Sequence, residues 1–278
     1  MRPDIALPNV SPRAVKQLGS RGTTIAARLG YLTHGLVYAM IGVLAVLAAV
    51  GQGGGVTSRE GAVQRIGETA FGTVLLWAVA IGLACYALWN VVRVVLDPEN
   101  VGRDGKGALR RFGYGVSAVS HGLLAIHTFQ LAYGAATSGG GKTRTIAEVF
   151  NLPFGRVLIG LIGLGVIAFG ISEIYRAWTG AVAKEFDGAS LPVKRQWIVN
   201  IARIGHGARG VVFAISGSSF VVAALNARAS ETHGVDDSLR QLASQPFGSV
   251  LLGLVAAGLV AYGVDMFLLA RYARIPEV

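Results

Sequence analysis

The sequence predicts an all-α membrane protein in which six transmembrane helices form three parallel two-helix repeats around a pseudo-threefold axis. Of its 278 residues, 53% are hydrophobic and only 14% are charged. The apolar residues gather into six runs of roughly 20–25 residues, and about 20 are needed to cross the hydrocarbon core of a bilayer. Lipid offers the backbone no hydrogen-bond partners, so such runs are expected to be helical. They lie at residues 29–50, 72–96, 112–136, 154–179, 198–226 and 248–271.

Every second run opens with the same dipeptide, at Phe71-Gly72, Phe154-Gly155 and Phe247-Gly248. The run before each of them carries an Arg-x-Gly signature, whose glycine lies 42, 42 and 43 residues upstream of the F-G glycine. The signature glycines are Gly30, Gly113 and Gly205. Three matched spacings identify an internal repeat.

Each repeat crosses the membrane twice, so the three copies insert the same way up as parallel repeats. No hairpin can bury its small-residue faces alone, and a single six-helix domain over residues 29–272 is therefore expected after a basic cytoplasmic tail over residues 1–28. The repeats cover about 28–97, 111–179 and 198–272. Just before each F-G dipeptide stands a short amphipathic segment, typical of a helix at the membrane boundary. The apolar sides of these segments are Ile66, Val149–Phe150 and Leu239–Leu242.

The net charge of +10 comes from basic residues that lie mostly on one side of the predicted membrane. Eighteen of the 25 lysines and arginines fall in the N-terminal tail, the second connection, the fourth connection with the start of the fifth run, and the C-terminal end. This positive-inside pattern predicts that both termini are cytoplasmic, and the basic excess favours contact with anionic lipid. No basic stretch carries interleaved aromatics, so nucleic acid is not an expected partner. The single cysteine, Cys85, provides no disulfide, redox or zinc spacing.

Small residues recur on the second helix of each repeat. Two sets are equivalent between the copies: Gly82, Gly165 and Gly258, and Ala87, Gly170 and Gly263. Small residues let helix backbones approach closely in lipid, so these positions are expected to pack helix against helix. A glycine-lined permeation path is the alternative interpretation.

Polar residues inside the apolar runs are candidate functional positions, because they are costly in lipid and face protein or water. Alignment on the shared glycines places two equivalent sets on the first and second helices of the repeats: His34, Ser117 and Arg209, then Trp89, Ser172 and Asp265. Arg209 and Asp265 lie at similar depth, about 25–27 Å from the outer end at ~1.5 Å per residue. The sequence therefore predicts an Arg209–Asp265 ion pair, either as a lock of the third hairpin or as a charged gate at the cytoplasmic mouth. The equivalent positions of the first and second repeats predict His34 near Trp89 and Ser117 near Ser172.

Only the second repeat carries His121 and His127. Six residues apart, they do not share a helix face, and interhelical hydrogen bonding is expected. A haem with His34 or His206 as a second ligand and a proton-sensitive histidine are the alternatives, and no metal site is predicted. Glu173 has Arg176 at i+3, which predicts a local ion pair near the cytoplasmic edge.

The repeats share the pattern R-x-G-Y…G-x-x-Y-A-x-x-G, then the amphipathic segment, then P-F-G-x-x-L-L-G-x-x-A-x-G-L-x-x-Y-G. The third repeat matches it best, with ARGVVFAISG and QPFGSVLLGLVAAGLVAYG. The first has AFG in place of PFG, and the second has Ser117-Ala118 where the others have His34-Gly35 and Arg209-Gly210. This pattern resembles the bacterial membrane family known as domain of unknown function 1206, over roughly residues 25–272. The resemblance implies three two-helix units in a bacterial inner membrane, and it implies no reaction.

Two functions fit these features. The first is a non-enzymatic structural or accessory protein that packs against partner membrane proteins or against itself. The second is a small-solute channel or transporter along the pseudo-threefold axis, with His34, Ser117 and Arg209 around its inner mouth. No H-E-x-x-H or G-x-S-x-G motif and no pair of carboxylates at matched depth indicates an enzyme. No cofactor is predicted beyond lipid contacts, with haem or pigment kept as an alternative.

Overall fold

The described part of the chain is all helix and turn. The computed structural model describes residues 12–98, 101–102, 104–134, 148–150, 152–186, 194–227, 232 and 234–273, and of 12–21, 23, 106 and 109 the backbone alone. Within these ranges there is no strand, which confirms the predicted all-α fold.

Long helices carry each predicted span, and short helices lie between them. The long helices are α1 (Pro12–Ala49), α3 (Gly72–Val95), α4 (Gly105–Ala132), α5 (Gly155–Thr179), α6 (Arg195–Asn226) and α8 (Gly248–Tyr272). The short helices are α2 (Arg59–Gly67), a 3₁₀ helix (Ala181–Phe186) and α7 (Val235–Ala243). α1 begins at Pro12, so part of the predicted basic tail is helical, while residues 1–11 lie outside the described ranges.

Five helices are long and apolar enough to cross a membrane, which indicates a multi-pass membrane protein. They are residues Thr24–Ala49 of α1 and the whole of α3, α5, α6 and α8. α4 is as long but less apolar, because it carries His121, His127, Ser117 and Ser120. The sixth span therefore stays a prediction, as does the threefold arrangement.

The helices α3, α5 and α8 each begin at an F-G glycine, as the repeat predicts. In the third copy the Gly248 N–H donates to the Gln245 carbonyl at 2.8 Å. A Cβ on Gly248 would overlap the carbonyl oxygen of Ala243, so a larger residue does not fit this turn. The other copies repeat both features: Gly72 against Thr69 and Gly67, and Gly155 against Leu152 and Val149.

The long helices pack in the series α5–α6–α8–α1–α3–α4. Three of these contacts join the second helix of one repeat to the first helix of another: α3 to α4, α5 to α6, and α8 to α1. The contacts α1–α3 and α6–α8 are the hairpins of the first and third repeats. In the described ranges α4 and α5, which form the second hairpin, stand at the two ends of the series.

Glycines bring the neighbouring repeats together. A Cβ on Gly210 of α6 would lie 2.6 Å from the Gly170 carbonyl oxygen of α5, and one on Gly35 of α1 would lie 2.8 Å from the Gly263 carbonyl oxygen of α8. These helices meet backbone to backbone, as small residues allow in lipid. The packing role predicted for Gly170 and Gly263 is thereby confirmed.

The short helices α2 and α7 match the amphipathic segments predicted before two of the F-G dipeptides. Ala62, Val63 and Ile66 of α2 are buried, and Leu239 of α7 is wholly buried. α2 packs on α1, α3 and α4, while α7 packs on α6 and α8. In the second loop residues 148–150 are helical and residue 151 lies outside the described ranges.

Candidate functional site

A connected cluster of polar side chains, most of them buried, lies between the long helices. We call it the polar layer, and its members are His34, Ser117, His121, Glu173, Arg176, Glu185, His206, Arg209, Tyr262 and Asp265. Glu173 and Asp265 lie 18 and 17 residues after their F-G glycines. At ~1.5 Å per residue both are about 25–27 Å from that end of the helices. The layer therefore extends across the bundle from helix to helix, and it lies near the end opposite the F-G glycines.

Two histidines form one half of the layer. His121 Nδ1 lies 2.7 Å from the Ser117 carbonyl oxygen, which can only accept, so this nitrogen carries the proton. With both rings neutral, His121 Nε2 accepts from His34 Nδ1 at 2.9 Å. His34 Nε2 then accepts from the Tyr262 hydroxyl at 3.4 Å. The hydrogen bonds thus run in one direction, from Tyr262 to Ser117.

Aromatic rings fill the space around His34. Its ring stacks on Tyr38 at a centroid distance of 4.8 Å and lies 5.0 Å from Tyr86. Tyr262 meets it edge-on at 5.7 Å. The rings of α1, α3 and α8 therefore meet at this histidine and pack the middle of the series.

Arg209 links this half to the carboxylates. Its Nη1 donates to the Tyr262 hydroxyl at 2.8 Å and to Glu173 Oε2 at 3.1 Å. Four aromatic rings surround the guanidinium carbon at centroid distances of 4.7 to 5.8 Å, namely Tyr38, Phe169, Phe213 and Tyr262. Such rings favour a buried guanidinium through cation–π attraction.

Glu173 is the most heavily bonded carboxylate of the layer, with 2% exposure. Its Oε2 accepts from Arg209 and, at 2.6 Å, from His206 Nδ1. Its Oε1 accepts from Arg176 at 3.0 Å, which confirms the predicted local pair. Arg176 also bonds Glu185 on the 3₁₀ helix. Several donors thus compensate a charge that would be costly to bury alone.

Asp265 has fewer partners although it is fully buried. Its Oδ2 lies 3.3 Å from His206 Nε2, but the two groups are not aligned as a hydrogen bond. Among the described residues, neither carboxylate oxygen of Asp265 nor His206 Nε2 has a hydrogen-bond partner. Buried groups of this kind require an explanation, because most buried polar atoms are bonded.

The predicted Arg209–Asp265 ion pair is wrong, since Arg209 bonds Glu173 and Asp265 faces His206. α5 packs on α6 across the boundary between two repeats, where Gly170 meets Gly210. Glu173 follows Gly170 by about one turn of ~3.6 residues and so reaches Arg209. A comparison of depth within one hairpin could not detect a partner from another repeat.

The structure also gives other partners to the residues of the two equivalent predicted pairs, His34 with Trp89 and Ser117 with Ser172. The α3 ring that His34 contacts is Tyr86, one turn before the buried Trp89. Ser117 Oγ lies 3.3 Å from His121 Nδ1, while Ser172 is exposed and bonds the Phe169 carbonyl of its own helix at 2.7 Å. His127 is half-buried further along α4 and is not among the layer's bonded members.

Two surface grooves lie away from the layer. One of about 410 Å³ is lined by apolar residues of α1 and α3, Leu36 and Val79 among them, with Phe267 of α8. The other, of about 460 Å³, lies between α5 and α6 beside Trp178 and Arg203. Of the described residues, neither His34, Ser117 nor Arg209 lines either groove.

Apolar helices in repeated hairpins define an integral membrane protein with internal repeats. The chain belongs to the family described as Domain of Unknown Function (DUF1206), which matches it three times, at residues 29–97, 112–180 and 204–273. It is also 34% identical over 238 residues to the Bacillus subtilis (strain 168) protein "Uncharacterized protein YxxB", covering 85% of this chain and 86% of that protein. No solved structure matches the chain. The resemblance read from the repeats is confirmed, and the matched segments coincide with them.

Proposed function

We propose that this protein is a non-enzymatic structural or accessory protein of the bacterial inner membrane, which works by packing against other membrane proteins. The proposal includes six spans, with α4 as the sixth, and a pseudo-threefold relation between the repeats. An even number of spans puts both termini on one side, and the basic residues make that side the cytoplasm. The observation that carries the proposal is an uncovered interface at the second hairpin.

The first and third hairpins close through the same contact. A Cβ on Gly30 would lie 2.8 Å from Tyr86 Cα, and one on Gly205 would lie 2.5 Å from Tyr262 Cα. These glycines and tyrosines occupy equivalent positions in their repeats. Each signature glycine therefore receives a ring-bearing residue of the returning helix, and the two helices of the hairpin touch.

The second hairpin lacks this closure within the described ranges. Its signature glycine, Gly113, has no atom within 4 Å of a built Cβ, and the same holds for Gly165. Phe169, the equivalent of the two tyrosines, is 39% exposed, and Val116 on α4 is 54% exposed. We call Gly113 with Val116 and Gly165 with Phe169 the open faces of α4 and α5. Small-residue faces in lipid support helix contact, so these faces are suited to a partner helix.

A second copy of the chain fits the open faces best. The closed hairpins join the first helix of a repeat to its second helix, so α4 of one copy carries the complement of α5 of another. Reciprocal exchange of these contacts closes a two-fold dimer, the commonest symmetry of homo-oligomers. Other membrane proteins and lipid are the competing occupants.

A channel along the pseudo-threefold axis has less support. In a channel, the equivalent residues His34, Ser117 and Arg209 would have to line the path. Instead, His34 and Arg209 both contact the Tyr262 hydroxyl, and Ser117 bonds His121. Aromatic rings pack the space between them. A haem or pigment remains testable by the absorption spectrum of the purified protein.

Cross-linking between two tagged copies tests the proposed contact. The background carries Cys85→Ala, one copy carries Val116→Cys and the other Phe169→Cys, and both are oxidised in native membranes. We expect a disulfide that joins the two tags. The control replaces Phe169→Cys by Leu254→Cys on α8, which is 68% exposed and lies away from the open faces. Equal yields in both pairings would contradict self-association through these faces. So would a disulfide within one chain when a single copy carries both Val116→Cys and Phe169→Cys.

A further inference from the structure

We infer that Glu185, His206 and Asp265 form a binding site for a divalent transition-metal cation, with zinc as the best fit. This inference goes beyond the proposed packing role and does not depend on it. The three residues come from the 3₁₀ helix, α6 and α8, so a bound ion would join three elements.

The spacing of the ligand atoms fits a metal ion. One ligand atom from each of the three residues lies within 4.8 Å of the other two. His206 Nε2 and Asp265 Oδ2 are 3.3 Å apart. Ligands at ~2.0–2.2 Å from a tetrahedral zinc ion stand about 3.3–3.6 Å from each other. Two of the three atoms therefore already have ligand spacing, and Glu185 completes the set by a small inward movement.

Two of the three ligand side chains have no other partner, among the described residues, for the atoms that face the site, whereas Glu185 also bonds Arg176. His206 Nε2 and both Asp265 oxygens are buried without a hydrogen-bond partner, in side chains that are 2% and 0% exposed. His206 donates its Nδ1 proton to Glu173, so in the neutral ring Nε2 presents a lone pair to a carboxylate oxygen. Two acceptors facing each other in a buried space require a cation between them, either a metal ion or a proton on His206 Nε2.

Glu173 supplies the support that a metal-binding histidine usually has. Such histidines donate their other ring N–H to a carboxylate or carbonyl, which fixes the tautomer and the ring orientation. Glu173 accepts this bond at 2.6 Å and is itself held by Arg176 and Arg209. The other ring nitrogen of His206, Nε2, is thereby directed at Asp265.

The site is closed on one side and open on the other. Asp265 is fully buried, whereas the Glu185 side chain is 31% exposed on the 3₁₀ helix. A cation can therefore enter past Glu185 and meet His206 and Asp265 inside. One imidazole with two carboxylates suits zinc, manganese or iron better than magnesium, and three protein ligands leave one position for water.

Zinc titration of the whole protein tests the site. The protein is purified without a polyhistidine tag, stripped with a chelator and titrated with Zn²⁺ by calorimetry, with Mg²⁺ in parallel. We expect one Zn²⁺ per chain and at least a ~10-fold loss of affinity in Asp265→Asn and His206→Gln. Glu173→Gln should lower the affinity by about 10–100-fold, because it replaces the charged acceptor of the orienting bond by a neutral amide. The matched controls Glu68→Gln, in an exposed surface pair, and His127→Gln should bind as the unchanged protein does.

X-ray absorption at the zinc edge on the unchanged protein is independent of whether the variants fold. It should report an imidazole nitrogen and carboxylate oxygens around the ion. The inference is overturned if the unchanged protein binds no Zn²⁺, if folded Asp265→Asn and His206→Gln bind as tightly as the controls, or if the absorption spectrum shows no nitrogen ligand. In the first case a proton on His206 is the cation of the site.

Discussion

Tyr262 is the residue that joins the two halves of the polar layer. Its hydroxyl accepts from Arg209 at 2.8 Å and faces His34 Nε2 at 3.4 Å. Tyr262→Phe keeps the ring but removes the hydroxyl, which leaves both neighbours short of a partner. We expect the free energy of unfolding to fall by about 1–3 kcal/mol, the usual cost of an unsatisfied buried group. Denaturation in mixed lipid–detergent micelles measures it.

Tyr133→Phe is the matched control for this change. Tyr133 is 76% exposed at the end of α4, so the loss of its hydroxyl should change the stability by no more than about 0.5 kcal/mol. If the two variants lose the same amount, the hydroxyl of Tyr262 does not join the halves of the layer.

The sequence pointed to several members of this layer and missed others for physical reasons. His34, Arg209 and Asp265 were found because the repeats differ there. Tyr262 occupies a position that is aromatic in all three repeats, so it looked like a scaffold residue. The signal that could have identified it is its hydroxyl, since a tyrosine within an apolar run usually needs a hydrogen-bond partner.

Glu185 was missed because it lies in a connection between repeats. Alignment of the copies compares helices with helices and has no equivalent for the 3₁₀ helix. Its position beside α5 and α6 depends on how that connection folds back, which no spacing in the sequence encodes.

At the scale of helices, close backbone contact is the feature that orders the bundle. A Cβ on Gly210 would lie 2.6 Å from the Gly170 carbonyl oxygen and 3.0 Å from the Ile174 backbone nitrogen. Backbone atoms cannot move aside as a flexible side chain can, so Gly210→Ala must separate α5 from α6. We expect a loss of about 1–3 kcal/mol in unfolding free energy, typical of overpacking.

Gly207→Ala on the same helix is the control for this substitution. Its Cβ would meet the Ala177 Cβ at 3.7 Å, an ordinary contact. Alanine also favours helix over glycine by about 1 kcal/mol, so this variant should be neutral or slightly stabilised. Equal destabilisation by the two substitutions, in the same micelle assay, would argue against backbone contact between α5 and α6.

The helices themselves were largely predictable, whereas their neighbours were not. The F-G glycines predicted where α3, α5 and α8 begin, because the turn before each helix excludes a side chain. The repeat spacing is nearly the same in all three copies, so it cannot distinguish a closed hairpin from an open one. That distinction depends on the particular residues of α4 and α5 and appears only when the helices are packed.

At the scale of the molecule, the main feature is that backbone contacts and hydrogen bonds join each repeat to another repeat. Backbone contacts join α5 to α6 and α8 to α1, and the polar layer connects α4, α1, α8, α6 and α5 through hydrogen bonds. The Glu173–Arg209 bond crosses from the second repeat to the third. The polar layer therefore locks one repeat to another, whereas the sequence predicts an ion pair within the third hairpin.

A double-mutant cycle on Glu173 and Arg209 measures how strongly the layer couples the second repeat to the third. Glu173→Gln leaves the buried Arg209 charge without its carboxylate and should cost about 3–5 kcal/mol in unfolding free energy. Arg209→Gln should cost less, because Arg176 and His206 still donate to Glu173. The cycle on the exposed Arg65–Glu68 pair, whose charged atoms lie 3.5 Å apart, serves as the control and should show almost no coupling. If the layer locks the repeats, the double variant will lose less than the sum of the single losses, with a coupling of at least ~1 kcal/mol. Losses that add to within about 0.5 kcal/mol would contradict the account.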